Sequence, residues 1–450
     1  MSPKEPSTRT QYFLVGRDIP GEWWTLFHSR QLNKLIIQGI QNSPNLIAAK
    51  AALSQANYIM TAKIGATLLP ALNVGVGAER QLTGSENTLS DTPGSIFNLF
   101  NATIAVSYTP DVFGGNRREI ESLTAQVDFQ RYELIAAYLT LTSNIVTTAI
   151  TIASLEEQIK ATLSLINEEE KQLAIIKAQF HLGGASKANV LSQESLVAQT
   201  KATLPPLQTS LVQSHHALAV LVGHFPSEQP TPYFDLNQMT LPNQLPVSIP
   251  SRLVQQRPDI LAAEATLHSA SAQIGVAKAN YFPQVTLGAN SGRASLVASD
   301  IFTNPASYFW NYSAQLTQSV FNGGALVNTV KANTEAFKQA AAQYQQTVLQ
   351  AFQNVADVLR ALEDDARTLK AQQQAVKAAK GSLVLTEKQY RLGGTSFLSL
   401  LTAQQQYQQA LISFIQAEAA RYSDTAALFQ AVGGGWWNPQ PTQALAGVKS

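Results

Sequence analysis

The sequence predicts an α+β membrane protein whose chain is two copies of one unit: a pair of short strands followed by a very long helical hairpin. Three observations carry this reading. Proline-free runs show heptad periodicity. Four alternating segments contain no charge. A set of short motifs recurs about 210 residues downstream.

The helices come first. No proline lies between Asp111 and Leu204 or between Ala306 and Asn438, while Pro205 to Pro258 holds nine. Proline inside a helix costs about 3 kcal/mol, so the two empty runs are helix candidates and the middle reads as a linker. The first run repeats as Leu134, Tyr138, Leu141, Ile145, Thr148, Ile152, Leu155, Ile159, Thr162, Ile166, then Leu173, Ile176 and Phe180. The second repeats as Tyr344, Val348, Ala351, Val355, Val358, Leu362, then Leu369, Val376, Ala379, Leu383, Thr386 and Tyr390. Spacings of four and three make a heptad stripe. Each stripe ends in the same signal, Leu182-Gly183-Gly184 and Leu392-Gly393-Gly394, where glycine supplies a left-handed C-cap. Ser186 and Ser396 follow as N-caps of return helices. At 1.5 Å per residue each long helix is roughly 100 Å long, a length suited to a rod or tube.

Two alternating segments precede each long helix. In Leu72 to Gly77, Asn101 to Thr109, Gln284 to Asn290 and Tyr308 to Thr317, apolar residues alternate with small or polar ones. The period of two marks strands. These segments hold no charge and approach the length of a tilted membrane-spanning strand. The row of Val74, Ile104, Val106, Val285, Leu287, Trp310 and Tyr312 is expected to face lipid, with Thr103 and Thr286 facing a polar lumen. Tyr308, Trp310 and Tyr312 would form one aromatic girdle, Phe282 and Tyr108 the other. A soluble half-buried sheet is the alternative. Four strands cannot close, and open edges in lipid leave backbone groups unsatisfied. The chain is therefore expected to multimerise.

The duplication is explicit. Val112-Phe113-Gly114-Gly115 recurs as Val320-Phe321-Asn322-Gly323-Gly324, Pro44-Asn45-Leu46-Ile47-Ala48-Ala49 as Pro258-Asp259-Ile260-Leu261-Ala262-Ala263, and Leu69-Pro70 as Phe282-Pro283. The expected boundaries are an N-terminal segment 1–29, a first repeat 30–222, a Pro-rich linker 223–256, a second repeat 257–432 and a tail 433–450. The first repeat would hold strands near 69–79 and 100–109, a long helix 116–182 and a return helix 186–222. The second would hold strands near 283–291 and 308–320, a long helix 322–392 and a return helix 396–432.

Composition removes other classes. The 450 residues carry a net charge of +1 and only 14% are charged, against roughly 25% in ordinary soluble domains. Balanced charge argues against a nucleic-acid partner. Zero cysteines exclude disulfides, thiolate metal sites and cysteine nucleophiles. No stretch approaches 18 uncharged apolar residues, so no transmembrane helix is expected, and no signal peptide is visible. The adjacent His215 and His216 point to different helix sides and make a poor chelate. Glu168-Glu169-Glu170 and Glu363-Asp364-Asp365 read as solvated helix faces, or as a tube lining that biases ion passage. Gly433-Gly434-Gly435-Trp436-Trp437 reads as a helix end and anchored tail. No metal, cofactor or catalytic constellation is expected, and the protein is not read as an enzyme.

The residues resemble a known family, the trimeric outer-membrane channels of Gram-negative efflux pumps (TolC-like, in the OprM-like branch). The resemblance rests on Trp23-Trp24-Thr25-Leu26-Phe27 with Leu32, Leu35 and Ile36. It rests also on Arg257-Pro258-Asp259-Ile260 through Glu264, Leu267, Ile274-Gly275, Ala277 and Phe282-Pro283, and on the paired Leu-Gly-Gly hairpins. It implies a homotrimer with a 12-stranded barrel, four strands per chain, continuous with a long periplasmic α-helical barrel. An equatorial band would be built from the termini and the Pro-rich middle. The implied function is a passive duct carrying drugs or other toxic small molecules out of the periplasm. Its partners would be a periplasmic adaptor, an inner-membrane pump of the RND type and outer-membrane lipid. Branch members begin their mature chain with a lipidated cysteine. Here Met1 is read as replacing removed processing sequence, with a non-lipidated protein as the alternative. Tyr390 matches the family's gating tyrosine and Arg391 the neighbouring basic position. The acidic gate positions fall on Asn189, Ser399 and Thr402. The expected latch therefore joins Tyr390 and Arg391 to Asn189, Ser396 or backbone carbonyls, with Leu398 and Leu401 as apolar gate residues beside Phe397. The rival readings are a protein-secretion (type I) duct and a coiled-coil scaffold with no pore.

Overall fold

The computed structural model describes residues 11–16, 18–83, 95–227, 233–236, 239–247 and 250–438. The rest of the expected N-terminal segment, linker and tail lies outside the described residues. In chain order the elements are β1 (Tyr12–Val15), a 3-10 turn (Trp23–Phe27), α1 (Arg30–Asn42), α2 (Pro44–Leu68), β2 (Ala71–Thr83), β3 (Ser95–Tyr108), α3 (Gly115–His181) and α4 (Lys187–Leu221). There follow β4 (Gln244–Val247), α5 (Pro250–Gln256), α6 (Pro258–Ala279), β5 (Gln284–Ser295), α7 (Asp300–Thr303), β6 (Tyr308–Thr317), α8 (Ala325–Arg391) and α9 (Phe397–Ala431). The order α2-β2-β3-α3-α4 recurs as α6-β5-β6-α8-α9. Helices α3 and α8 each have 67 residues, and α4 and α9 each have 35.

The chain forms two compact units. One contains residues 51–131 and 262–345, the other the described residues of 1–50, 132–261 and 346–450. The first is a four-stranded antiparallel sheet in the order β2-β3-β5-β6 with helix segments before and after the strands. Asp111 caps the start of α3, accepting from the backbone N–H groups of Asn116 at 3.0 Å and Arg117 at 2.8 Å. Ser122 and Ser269 hydroxyls meet at 2.8 Å, and Lys63 pairs with Glu119 at 2.7 Å.

The second unit is helical, with β1 and β4 paired in parallel. Its core gathers the N-terminal motif onto the long helices. Trp23 and Phe27 are fully buried, and Trp23 stacks on Phe429 at 5.3 Å. Trp24 packs on Tyr138. Arg257, of the Arg-Pro-Asp motif, forks onto Asp259 at 3.0 and 2.7 Å. Its Nη1 donates to the carbonyls of Ala431 at 2.8 Å and Ala351 at 3.4 Å. The guanidinium thus satisfies a carbonyl at the end of α9 that no helical N–H can reach.

Three expectations need correction here. One 18-residue window of α3 is apolar enough to cross a membrane by length and composition, and 61% of it is buried inside the chain. Leu134 to Leu155 is uncharged and supplies Leu134, Leu141, Ile145, Val146 and Ile152 to the core. A helix apolar all round is packed on several sides. Second, the proline spacing that reads Pro205 to Pro258 as linker gives way to the expected return helix 186–222: Pro205 and Pro206 lie inside α4. Both are exposed, as are Lys201 and Ala202, whose carbonyls lose their donors on that side. Third, the strands outrun the uncharged segments: β2 takes in Glu79 and Arg80, and β5 takes in Arg293. The ladder continues because the backbone N–H and C=O groups pair whatever side chains they carry.

Candidate functional site

The sheet register sorts the strand residues into two faces. Leu72 pairs with Val106 and Val74 with Ile104. Val106 pairs with Ala289 and Tyr108 with Leu287. Val285 pairs with Leu316, Ala289 with Tyr312 and Ser291 with Trp310. Directly opposed residues point the same way. All seven residues of the expected apolar row, Val74, Ile104, Val106, Val285, Leu287, Trp310 and Tyr312, therefore share one face. Asn73, Gly75, Thr103, Ser107, Thr286, Asn290, Asn311 and Gln315 share the other, and the hydroxyls of Thr109 and Thr286 meet there at 3.4 Å. The apolar face is solvent-open in the single chain: Val74 is 74% exposed and Tyr312 79%. Among the described residues, the outer strands β2 and β6 each keep one edge unpaired.

The hairpin tips form a second cluster. Gly183 and Gly393 take φ of 80° and 74°. The N–H groups of Gly184 and Gly394 donate to the carbonyls of Gln179 at 2.7 Å and Gln389 at 2.8 Å, closing both helices by the same motif. Ser186 and Ser396 cap the return helices through the N–H groups of Asn189 and Ser399, each at 3.2 Å. Behind the tips, Ile176, Val190 and Leu196 pack with Phe397, Leu400 and Leu401, with Leu173, Leu383 and Tyr390 against them. The two hairpins are thus joined by an apolar plug.

The expected latch is drawn differently within the chain. Tyr390 Oη donates to Gln179 Oε1 at 3.4 Å, and its ring lies 5.6 Å from that of Phe397. The Asn189 side chain bonds neither Tyr390 nor Arg391, and the Ser396 hydroxyl is occupied by Ser399. A hairpin repeat places Gln179 opposite Tyr390 because each lies one turn before its glycine pair. Arg391 is exposed, with no partner among the described residues. Thr402 bonds the carbonyl of Leu398 in its own helix. Leu398 is 71% exposed, whereas Leu401 is buried in the plug.

The acidic clusters are not uniformly solvated. Glu168 and Glu170 are exposed and pair with Lys171 and Lys201. Glu169 between them is 3% exposed. Its Oε1 accepts from Thr200 Oγ1 at 3.1 Å, its backbone carbonyl accepts from Gln193 Nε2 at 3.2 Å, and its Oε2 has no partner. Burial pushes its carboxyl up to about 7. Asp365 is likewise pushed to about 7, by burial and then by a hydrogen bond with Asp424, with Arg421 opposing. Glu418 reaches about 7 through burial, with Glu157 and Asp235 adding to it. Glu156 also reaches about 7 through burial, offset by the Phe234 N–H at 2.9 Å. The sequence held a signal for two of these. The heptad stripes skip a step between Ile166 and Leu173 and between Leu362 and Leu369, and Glu169 and Asp365 fill those steps.

Comparison with known proteins follows the same outline. The family described as outer membrane efflux protein matches residues 35–224 and 249–434. The pyoverdine export outer membrane protein OpmQ of Pseudomonas putida is 30% identical over 425 residues, covering 94% of this chain and 89% of that protein. The toluene efflux pump outer membrane protein TtgF of Pseudomonas putida is 28% identical, covering 94% of this chain and 87% of its own. The solved outer-membrane channel OprN superposes with a TM-score of 0.89 at 24% identity, covering 97% of each chain.

Proposed function

The chain belongs to the outer membrane efflux protein family, and from that premise we propose that it is a passive export duct for small molecules, built by three copies around one pore. The observation that carries this is the sheet: four strands, one largely apolar face open to its surroundings, one polar face whose single charge among the described strand residues is Glu79, and two edges unpaired among the described residues. Three such sheets make a 12-stranded barrel with lipid outside and water inside, which removes every edge from the hydrocarbon. Val74, Ile104, Val106, Val285, Leu287, Trp310 and Tyr312 face lipid in this reading. The long helices extend into the periplasm. Pyoverdine and toluene, named for two relatives, are small molecules, which favours small-molecule export over protein secretion. A duct supplies no energy, so an inner-membrane pump of the RND type and a periplasmic adaptor complete the path.

The tip is the gate in this proposal. Gly183, Gly184, Gly393 and Gly394 turn the hairpins, and Tyr390, bonded to Gln179, holds them together. Arg391, Asn189, Ser396, Ser399, Thr402 and Leu398 form the contact surface toward neighbouring copies and the adaptor, and Leu401 anchors the plug behind it. The test is native mass in detergent and single-channel recording in planar bilayers. A trimer with a low-conductance pore is expected, and Tyr390→Phe with Arg391→Ser should raise the conductance. A stable monomer with full β content would overturn the duct. Unchanged conductance in the double variant would remove the gate from this tip.

A further inference from the structure

Two arginines interrupt the apolar face of the sheet at one end. We propose that Arg80 and Arg293 bind the phosphate groups of lipid A, the phosphorylated glycolipid of the outer leaflet. This rests on the duct reading, which sets that face against lipid, and adds the lipid that it selects.

Both arginines belong to the lipid face. Alternation along β2 puts Arg80 with Leu72, Val74 and Val76. Val76, Ala102, Arg293 and Tyr308 form one rung across the four strands, so Arg293 points the same way. The two are counterparts in the duplicated unit. Leu69-Pro70 aligns with Phe282-Pro283, and an arginine follows each proline by ten residues. In that alignment the only other identity between β2 and β5 is Gly75 with Gly288. Each arginine stands eight residues beyond the first apolar residue of its strand on this face, Leu72 or Val285. On strands tilted by about 40°, that stretch rises roughly 20 Å, close to the ~25 Å height of an outer-membrane apolar band. The start of α3 adjoins the opposite end of the sheet. The arginines therefore emerge at the outer headgroups, where a charge on the lipid face costs least.

Their charge has no answer within the chain. Near the start of α3, Lys63 meets Glu119 at 2.7 Å, Arg117 meets Asp111 at 3.7 Å and Arg118 meets Glu121 at 2.6 Å. Among the described residues neither Arg80 nor Arg293 forms an ion pair. Glu79 pairs with Leu99 and so turns to the polar face. Asp300, in the turn beside Arg293, accepts from the Ser299 hydroxyl at 3.0 Å. Arg293 Nη1 donates instead to neutral groups: the carbonyls of Ile301 at 3.4 Å and Asn304 at 3.3 Å, and the Ser307 hydroxyl at 3.3 Å. These bonds hold one end of the guanidinium in place and leave its charge unmatched. The surroundings suit a phosphorylated sugar at a membrane surface. Tyr308 lies directly opposite Arg293, and its Oη accepts from Ser291 Oγ at 3.4 Å. Trp310 and Tyr312 follow on the same face, with ring centroids 5.3 Å apart. Such rings occupy the boundary between hydrocarbon and headgroups, and a guanidinium matches phosphate oxygens with paired hydrogen bonds.

Native mass spectrometry of the detergent-solubilised trimer with added lipid A reads the binding directly. Wild type should bind diphosphoryl lipid A several-fold more tightly than the monophosphoryl form. Arg80→Gln with Arg293→Gln should weaken the diphosphoryl form roughly tenfold. Arg80 is exposed and makes no side-chain hydrogen bond among the described residues, so Arg80→Gln alone should keep the fold and show an intermediate loss. Glu79→Gln, one residue away on the other face, should not weaken binding. Unchanged affinity in the double variant, or an equal loss in Glu79→Gln, would overturn the site. Equally tight binding of phosphatidylglycerol, or displacement of lipid A by millimolar inorganic phosphate at constant ionic strength, would overturn the choice of ligand. A monomeric mass for the wild type would instead remove the three-copy reading beneath the proposal.

Discussion

Glu169 sits in the heptad stripe of α3, where the neighbouring steps are Ile166 and Leu173. Its carboxyl rises from an ordinary 4.5 to about 7 because burial disfavours the charge. The folded state therefore holds the proton more tightly than the unfolded one. Between pH 4.5 and 7 stability falls as pH rises, and the full loss is present above pH 7. A shift of this size corresponds to as much as roughly 3 kcal/mol. Glu169→Gln keeps the hydrogen bond to Thr200 and removes the charge. The variant should melt higher than the wild type at pH 8 and close to it at pH 4.5. An equal difference at both pH values would show that ionisation is not the cause. Its counterpart by hairpin alignment is Ala379, so the second hairpin has no such proton site there. The acid was visible in the sequence only as a gap in the apolar stripe. Composition around it, three glutamates in a row, read as solvated.

Among the elements, the strand pairs and hairpin turns were the most legible, because each rests on a local rule. Alternation selected the seven residues that the ladder then put on one face. It did not fix the ends, since a paired strand continues through Glu79, Arg80 and Arg293 once backbone groups have partners. On the duct reading, Val106→Arg or Leu287→Arg should cost about 2–4 kcal/mol near the bilayer midplane. Thr103→Arg or Thr286→Arg should be milder and alter conductance instead. Denaturant titration in detergent or lipid checks this, and equal damage on both faces would contradict the assignment of the lipid face. The turns make a sharper comparison. A Cβ added at Gly183 or Gly393 would meet nothing within 4 Å, so only their positive φ opposes a side chain. Gly183→Ala and Gly393→Ala should each cost about 1 kcal/mol. Gly184→Ala and Gly394→Ala should cost less, since neither has a positive φ and the nearest atom would be a carbonyl oxygen at an ordinary 3.5 Å. Thermal melts of the four variants test the ranking. The Tyr390–Gln179 bond was not legible in the sequence, since it joins residues 211 positions apart and no local rule selects glutamine there.

For the whole molecule, the duplication was the most informative feature of the sequence and the long-range closures the least. Arg257 illustrates the gap. Its motif marked the family resemblance, but only the fold reveals that its guanidinium reaches Ala351 and Ala431. The same kind of closure ties the chain's extremities. Strand β1 pairs with β4. Gln11 Nε2 donates to the carbonyl of Pro242 and to the Thr425 hydroxyl, each at 3.2 Å. Asn438 Nδ2 donates to the carbonyl of Ile19 at 3.2 Å, and Trp436 Nε1 to that of Gln256 at 2.7 Å. Time enters through this arrangement. A chain delivered from its N-terminus exposes the early half of the clasp long before the late half arrives. Residues 11–20 must wait for residues 425–438, so this clasp cannot form until translocation is nearly complete. Truncation after Val432 should leave Ile19 and its neighbours unclasped. During limited proteolysis such a chain should be cut near Asp18 much faster than the intact one, while the strand hairpins in residues 51–131 and 262–345 keep their resistance.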